Sequence, residues 1–121
     1  MKDIIKNLGL LDKVLILIVI IEILLLFKFR WIIGSGDSML PTLSNPSFAI
    51  CMKTNNYKVG DIVSYKIDGF PIVHRIVGIE EQMLDNGHVV RLFTLKGDNN
   101  STEDRFKIYK ENILCKLLFV K

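Results

Sequence analysis

Two predicted strands joined by a turn occupy residues 61–80, which read DIVSYKIDGFPIVHRIVGIE. Runs rich in Val, Ile, Tyr and Phe are typical of strands, and Asp68-Gly69 is a typical hairpin turn. The residues on either side carry the same pattern between further turn signals. The predicted strands are Ser47–Met52, Asp61–Ile67, Ile72–Glu80, His88–Leu95 and Asn112–Val120, with a polar loop from Lys96 to Lys110. This density of short strands indicates a mainly β domain over residues 34–121, built as a small antiparallel, barrel-like sheet.

Length and composition narrow the classes of protein to which the chain can belong. It has 121 residues and a mass of 13.9 kDa, which is one domain on ordinary size statistics. Hydrophobic residues make up 50% and charged residues 24%, which excludes a disordered chain. The net charge of +3 is too small and too dispersed to favour a nucleic-acid partner.

The apolar excess is concentrated in Val14–Ile33, which reads VLILIVIIEILLLFKFRWII and has seventeen apolar residues among its twenty. Twenty helical residues span roughly 30 Å, the thickness of the hydrocarbon core of a bilayer. The Leu, Ile, Val and Phe side chains favour insertion by roughly 5–10 kcal/mol, against a cost of ~3 for Glu22. The arithmetic predicts a single transmembrane helix at residues 13–33 after a short tail at residues 1–12, with membrane lipid as its surroundings.

Two other interpretations of this segment stay open. A cleaved signal peptide would have a shorter apolar core and would end in small residues, whereas bulky residues follow here. A buried soluble helix would have only the remaining 34–121 segment to cover it. Basic residues flank both ends of the segment, so charge alone does not predict the orientation of the helix.

Ser38 is the candidate nucleophile on chemical grounds. It lies in Gly36-Asp37-Ser38-Met39-Leu40-Pro41-Thr42-Leu43, where glycine and proline turns can present a hydroxyl on a rigid bend. A serine needs a base, and His74 lies within a predicted strand on the same face as apolar residues. Carboxylates that could orient a histidine follow in the loop that contains Asp98 and Asp104. Spacing alone does not establish a triad, because the three residue types occur in any order.

Four motif boxes carry a resemblance to a known family. In order, they are Ser38-Met39-x-Pro41-Thr42, Gly60-Asp61-Ile62-Val63, His74-Arg75-Ile76-Val77 and Lys96-Gly97-Asp98-Asn99-Asn100. Together, behind an apolar N-terminal segment, they resemble the ordered boxes of type I signal peptidases. Histidine rather than lysine in the third box is similar to the archaeal and endoplasmic-reticulum type. The resemblance covers residues from about 13 to 120.

The resemblance implies a membrane-anchored serine endopeptidase that removes signal peptides after small residues at positions −1 and −3. Ser38 matches the nucleophile and contributes its backbone N–H to the oxyanion hole, and His74 matches the general base. Asp104 matches the acid that completes the triad, and Asp98 is the alternative acid in the same loop. The family implies no metal and no cofactor. It also implies a single-pass topology, a catalytic domain outside the cytoplasm, preprotein substrates and possible accessory membrane subunits.

The sequence departs from the family at Gly36, where some relatives place a serine whose hydroxyl assists the oxyanion hole. The resemblance then leaves the hole to backbone N–H groups.

Three other functions stay open. The chain could be a catalytically inactive relative that serves as a membrane interaction module, or a repressor-type serine peptidase that cleaves itself. If the motif boxes are coincidental, it is a membrane-anchored β module with an unrelated binding function.

Several other residues have simpler predicted roles. His88 follows a turn and is expected on the surface, and Arg75 is expected to form a structural salt bridge. Cys51 and Cys115 lie in apolar strands and could either pair or remain free. The glycosylation sequons at Asn99 and Asn100 are discounted, because a glycan there would obstruct the predicted catalytic loop.

Overall fold

A computed structural model describes the backbone of residues 2–120 and the side chains of residues 2–118. Met1 and Lys121, the outermost residues of the predicted tail and domain, lie outside this range. The helices are α1 (Lys2–Lys6) and α2 (Leu10–Lys28), and one 3-10 turn covers Lys110–Asn112. The strands are β1 (Phe29–Gly34), β2 (Ser47–Met52), β3 (Ile62–Ile67), β4 (Phe70–Met83), β5 (Val89–Lys96), β6 (Ile108–Tyr109) and β7 (Ile113–Val120).

The strands form one antiparallel sheet in the order β1-β2-β7-β3-β4-β5-β6. The β3–β4 hairpin turns at Asp68-Gly69, as the sequence predicts, and both residues have positive φ. Its register pairs Val63 with His74 and Tyr65 with Ile72. The predicted mainly β, antiparallel fold is therefore confirmed.

The predicted strand bounds hold to within a few residues. Ser47–Met52 is confirmed without change, and β3, β5 and β7 each begin one residue later than predicted. The fourth strand is longer than expected, since it runs from Phe70 to Met83 and extends past the end of its predicted apolar run. The polar stretch predicted as a loop from Lys96 to Lys110 also contains the two-residue strand β6.

The predicted transmembrane helix at residues 13–33 is wrong in extent. Helix α2 ends at Lys28, and the backbone turns to an extended conformation at Phe29. Residues Phe29–Gly34 pair with β2 along their whole length, since their aromatic and β-branched side chains suit a strand as well as a helix. Of the helices within residues 2–120, none is long and apolar enough to cross a membrane.

The predicted barrel-like closure is also wrong. Strands β1 and β6 are the two ends of the sheet, and each pairs with one neighbour in the part of the chain that the structure describes. With two residues, β6 offers too few backbone groups to form a second ladder. The sheet is therefore open, and the outer edge of β1 carries no partner strand among the described residues.

One buried apolar cluster forms the main core, with side chains from Tyr57 and from strands β3 to β7. The largest fully buried side chains of the sheet are those of Tyr65, Phe93, Ile76, Leu95, Val63 and Cys51. Cys51 on β2 and Cys115 on β7 form a disulfide between neighbouring strands, with their Cα atoms 5.5 Å apart. Of the two predicted states of these cysteines, the paired one is therefore the one present.

Candidate active site

Ser38 lies on a bend that follows β1 and is held from two sides. Gly36 adopts φ = +110°, a conformation that side chains disfavour, and its N–H donates to the Oδ1 of Asn45 at 3.0 Å. The Asn45 amide in turn donates to the carboxylate of Asp37 at 2.9 Å. These contacts fix the chain immediately before Ser38, whose side chain is half-buried and reaches toward β4.

His74 lies in β4 and is buried together with Ile76, two positions along the strand, as the predicted shared face of His74 and apolar residues requires. The residue is 8% exposed. Its Nε2 is 3.2 Å from the Oγ of Ser38, and its Nδ1 is 2.6 Å from the Oδ2 of Asp104. Ser38, His74 and Asp104 thus form one continuous hydrogen-bonded chain, although they come from three separate parts of the sequence.

Asp104 reaches His74 because its loop returns to the end of β5. The Asp104 N–H donates to the carbonyl of Leu95 at 2.7 Å, which anchors the backbone next to the sheet. The Tyr65 hydroxyl on β3 donates to the same Oδ2 that accepts from His74. The Asp104 side chain is 15% exposed, so its charge lies mostly out of water and is held by these donors.

Asp98, the alternative acid, binds a different partner. Arg75 donates to both of its carboxylate oxygens, each at 2.8 Å, and the Thr42 hydroxyl donates at 2.6 Å. The hydrogen bonds from the Arg75 guanidinium hold the pKa of Asp98 below its ordinary value, more than burial raises it. The salt bridge expected for Arg75 is confirmed, and of the two acids it is Asp104 that contacts His74.

The loop after β5 also contacts the backbone around Ser38. The Asn99 N–H donates to the Ser38 carbonyl at 2.8 Å, and the Asn99 amide donates to the Asp37 carbonyl at 3.0 Å. A side chain at Gly97 would place its Cβ 2.6 Å from the Ser38 oxygen, so glycine is needed for this close approach. The buried Met39 accepts the Asp98 N–H through its sulfur at 3.4 Å. Together these contacts tie the bend that carries Ser38 to the loop that carries Asp104.

An open groove of about 490 Å³ lies beside Ser38. One wall is the end of β1, from Ile32 to Gly34, and the opposite wall is β4, from Pro71 to Val73. Met39 and Ser64 also line this space. A groove between the edge of one strand and the start of another can accept an extended peptide whose backbone passes the Ser38 hydroxyl.

The remaining sequence predictions concern residues away from this cluster. His88 is exposed in the turn before β5, as predicted. Among residues 2–118, no group of three or more His, Cys, Asp and Glu side chains could hold a metal ion.

Sequence reasoning missed Tyr65 and Asn45. The Asp68-Gly69 turn contained a signal for Tyr65. The hairpin that it predicts pairs Tyr65 with Ile72, and Ile72 lies two positions before His74 on the same face of the strand. For Asn45 the sequence contained no comparable signal, since its contacts depend on how the 39–46 loop folds back.

Comparison with known proteins places this geometry in context. Residues 27–111 match the family model described as Peptidase S24-like. The chain is 45% identical over 56 residues to the signal peptidase complex catalytic subunit SEC11C of Homo sapiens, covering 45% of this chain and 27% of that protein. It is 35% identical over 101 residues to the putative signal peptidase complex catalytic subunit SEC11B of Homo sapiens, covering 74% and 58%.

A fungal relative, the signal peptidase complex catalytic subunit SEC11 of Candida tropicalis, is 44% identical over 54 residues, covering 43% of this chain and 30% of that protein. The matched segments therefore span between about a quarter and three fifths of these relatives' own lengths. The resemblance to histidine-type signal peptidases that the motif boxes indicate is confirmed by these similarities.

Proposed function

The chain belongs to the Peptidase S24-like family, and on that premise we propose that it is a serine endopeptidase that removes signal peptides from exported preproteins. The single observation that supports this most strongly is the hydrogen-bonded chain from the Ser38 hydroxyl through His74 to Asp104. A hydroxyl within reach of an imidazole that is itself oriented by a carboxylate is the arrangement required for nucleophilic catalysis at neutral pH.

In the proposed first step, the Ser38 oxygen attacks the carbonyl carbon of the scissile bond while His74 Nε2 takes the hydroxyl proton. Asp104 accepts a hydrogen bond from the Nδ1–H of His74 throughout, which fixes the tautomer that leaves Nε2 free to act as base. The positive imidazolium that forms is stabilised by the adjacent carboxylate. Asp98 has no part in this step, since Arg75 and Thr42 occupy its oxygens.

The tetrahedral oxyanion is stabilised by backbone donors, of which we propose the Ser38 N–H as one. Loss of a single donor of this kind costs about 3 kcal/mol of activation free energy. Gly36 supplies no hydroxyl to the hole, so backbone groups must carry a larger share here. His74 then protonates the leaving amine, and a water molecule, deprotonated by the same nitrogen, hydrolyses the acyl-enzyme and restores Ser38.

The substrate is proposed to bind as an extended strand in the groove between β1 and β4. The outer edge of β1 has backbone groups without a partner strand among the described residues, and these groups can pair with a peptide. On the resemblance to signal peptidases, we propose cleavage after alanine, glycine or serine at position −1, with a small residue also at −3.

We further propose that the catalytic domain works outside the cytoplasm and acts with accessory subunits. The Cys51–Cys115 disulfide supports the first point, because such bonds persist in oxidising compartments. The second is supported by the relatives, which are described as catalytic subunits of a signal peptidase complex. Preproteins that carry signal peptides are the proposed substrates.

Helix α2 gives reason to keep lipid among the proposed partners. Its apolar side chains from Val14 to Phe27 are exposed, with Leu26 and Phe27 each about 70% accessible. Exposed apolar surface of this extent needs a nonpolar partner, and lipid or an accessory subunit would provide one. Co-flotation of the purified chain with phosphatidylcholine vesicles, compared with a Leu17→Lys/Leu24→Lys variant, distinguishes the two partners.

The proposed activity is tested with a preprotein that carries alanine at positions −1 and −3, incubated with the purified full chain in detergent. Mass spectrometry of the products should locate one cut after the −1 alanine. A matched preprotein with phenylalanine at −1 should remain intact. The proposal is overturned if the wild-type chain cuts both substrates at the same rate, or if it cuts neither.

A further inference from the structure

The hydroxyl of Tyr65 lies in the angle between His74 and Asp104. It donates to the Oδ2 of Asp104 and is 3.1 Å from the Nδ1 of His74, which itself lies 2.6 Å from the same Oδ2. Tyr65 is 1% exposed, so no bulk water competes for these contacts. Polar atoms of β3, β4 and the loop after β5 thus meet at the Nδ1 side of His74, whereas its Nε2 contacts Ser38.

The number of protons on the three groups determines which of them donate hydrogen bonds and which accept. Nδ1 of His74 carries one proton, and Asp104 is its nearer acceptor. The Tyr65 proton therefore also goes to Asp104, whose Oδ2 accepts two bonds. Burial, followed by the hydrogen bond to Asp104, raises the pKa of Tyr65, so the phenol keeps this proton wherever an enzyme of this kind would work.

We propose that Tyr65 is a positioning residue that fixes the Asp104 carboxylate against His74 and weakens the hold of that carboxylate on the imidazolium proton. This inference rests on the proposed function, because it concerns the base that activates Ser38. A donor on the carboxylate withdraws part of its negative charge, so the carboxylate stabilises the charged imidazole less. Tyr65 therefore sets the pH above which His74 is free to accept the Ser38 proton.

A second buried tyrosine shows that burial alone does not produce this arrangement. Tyr57 is 4% exposed and packs edge-to-face on Phe93, with ring centroids 6.0 Å apart. Burial also raises its pKa, but its hydroxyl interacts with the Thr54 backbone and with the charge of Asp61 rather than with the His74 cluster. Tyr57→Phe is therefore a matched control: it removes a buried phenol hydroxyl and leaves the cluster intact.

The charged groups on the elements around the cluster are unchanged by a substitution at position 65. They are Asp37, Asp61, Lys66, Arg75, Glu80, Glu81, Arg91, Lys96, Asp98, Glu103, Arg105, Lys107, Lys110, Glu111 and Lys116. Eight of them form ion pairs: Arg75 with Asp98 at 2.8 Å, Lys116 with Asp61 at 3.8 Å, Lys107 with Glu80 at 2.6 Å and Arg91 with Glu81 at 3.6 Å. A change in the titration of His74 in Tyr65→Phe is therefore due to the lost hydroxyl.

The test compares the wild-type full chain with Tyr65→Phe and Tyr57→Phe by two measurements. The first is the pH profile of kcat/KM for preprotein cleavage, and the second is the pH titration of the His74 ring signals in an NMR spectrum, with exposed His88 as internal reference. In Tyr65→Phe, we expect the acid limb and the His74 midpoint to move to higher pH while His88 stays in place. At pH 7, kcat/KM should fall about tenfold, which is less than the whole rate enhancement that a positioned general base provides. At pH 9 the loss should be smaller, because His74 is neutral in both chains.

A His74 midpoint that stays in place in Tyr65→Phe, or moves to lower pH, overturns the inference. If the wild-type chain does not cleave preproteins, the proposed function fails, and the NMR titration still decides the role of Tyr65. Should Tyr65→Phe fail to fold, a chain with 3,5-difluorotyrosine at position 65 gives the answer. Its more acidic hydroxyl is a stronger donor, so the His74 midpoint should move to lower pH, and an unmoved midpoint contradicts the proposal.

Discussion

The Nε2 atom of His74 lies 3.2 Å from the Oγ of Ser38, although the two residues are 36 positions apart in the chain. Each of the two residues depends on a different support. Ser38 is held by a bend that the 97–100 loop contacts through its backbone, and His74 is held by the register of the β3–β4 hairpin. The distance between the two atoms therefore depends on the contact between that loop and the bend and on the register of the hairpin.

The two acids of the loop should separate into different roles when each is changed to asparagine. Asp104→Asn keeps the shape but removes the charge that orients His74, so kcat should fall by about 10³- to 10⁴-fold at neutral pH. Asp98→Asn should lower kcat less than tenfold, because the Asp98 carboxylate bonds to Arg75 and Thr42, whereas His74 bonds to Asp104. Steady-state cleavage of a preprotein measures both, and a larger loss for Asp98→Asn than for Asp104→Asn would reverse the assignment.

Asp98 should instead contribute to stability in a pH-dependent way. Its pKa is lowered in the folded chain, chiefly by hydrogen bonds from Arg75, so the stabilisation is present above the ordinary carboxyl pKa of about 3.9 and is lost as pH falls through the lower folded value. Asp98→Asn should therefore lower the unfolding free energy by about 1 kcal/mol at pH 7.

Thermal unfolding followed by circular dichroism at pH 7 and at pH 2–3 checks this expectation. The difference in Tm between wild type and Asp98→Asn should shrink at the lower pH, because the stabilisation from the ionised Asp98 carboxylate decreases as the pH falls below the ordinary carboxyl pKa. Glu103→Gln, at an exposed position of the same loop, is the control and should change Tm little at either pH. A Tm difference that is as large at pH 2–3 as at pH 7 would contradict the role of the ion pair.

Gly97→Ala should displace the bend that carries Ser38. The added Cβ would lie 2.6 Å from the Ser38 carbonyl oxygen, a backbone atom that cannot move alone. A misplacement of about 1 Å at a reacting group costs on the order of a hundredfold in rate, so kcat should fall by that amount. Gly78→Ala is the matched control, because its Cβ would meet Thr94 at an ordinary 3.5 Å. Equal activities of the two alanine variants would show that the approach at Gly97 is not needed.

Reduction of the Cys51–Cys115 disulfide should destabilise the sheet at the junction of β2 and β7. The bond closes a loop across 64 residues, and a crosslink of this kind contributes about 2–4 kcal/mol to unfolding free energy. Urea unfolding with and without dithiothreitol measures the loss. A Cys51→Ala/Cys115→Ala variant should be insensitive to the reductant, and a wild-type chain that is equally insensitive would count against the prediction.

The sequence predicted the sheet well where one physical signal dominates. Strand β2 and the β3–β4 hairpin follow from alternation and from the Asp68-Gly69 turn, whose geometry fixes the register. The apolar run predicts a helix as far as Ile33, because a continuous apolar run suits either a helix or a strand. What decides between them is pairing with β2, a contact between residues about twenty positions apart that periodicity does not report.

The sequence predicted which residues act as nucleophile and base, but it predicted the hydrogen bonds between the site residues less well. Ser38 and His74 stand out because few residues can act as nucleophile and base. Asp98 and Asp104 lie six positions apart in one loop, and the choice between them depends on where Arg75 and Leu95 hold that loop. Tyr65 was missed because a tyrosine in an apolar strand is an ordinary core residue until the register brings it beside His74.

The central claim, that His74 activates Ser38, is tested most directly by a double-mutant cycle on preprotein cleavage. The chains are wild type, Ser38→Ala, His74→Ala and the double variant, with Ser101→Ala as a control at an exposed serine. Because the two residues act in one step, each single change should lower kcat by at least about 10³-fold, and the double variant should be no slower than the worse single one. Retention of wild-type cleavage by Ser38→Ala or by His74→Ala, or independent multiplication of their losses, would contradict the account.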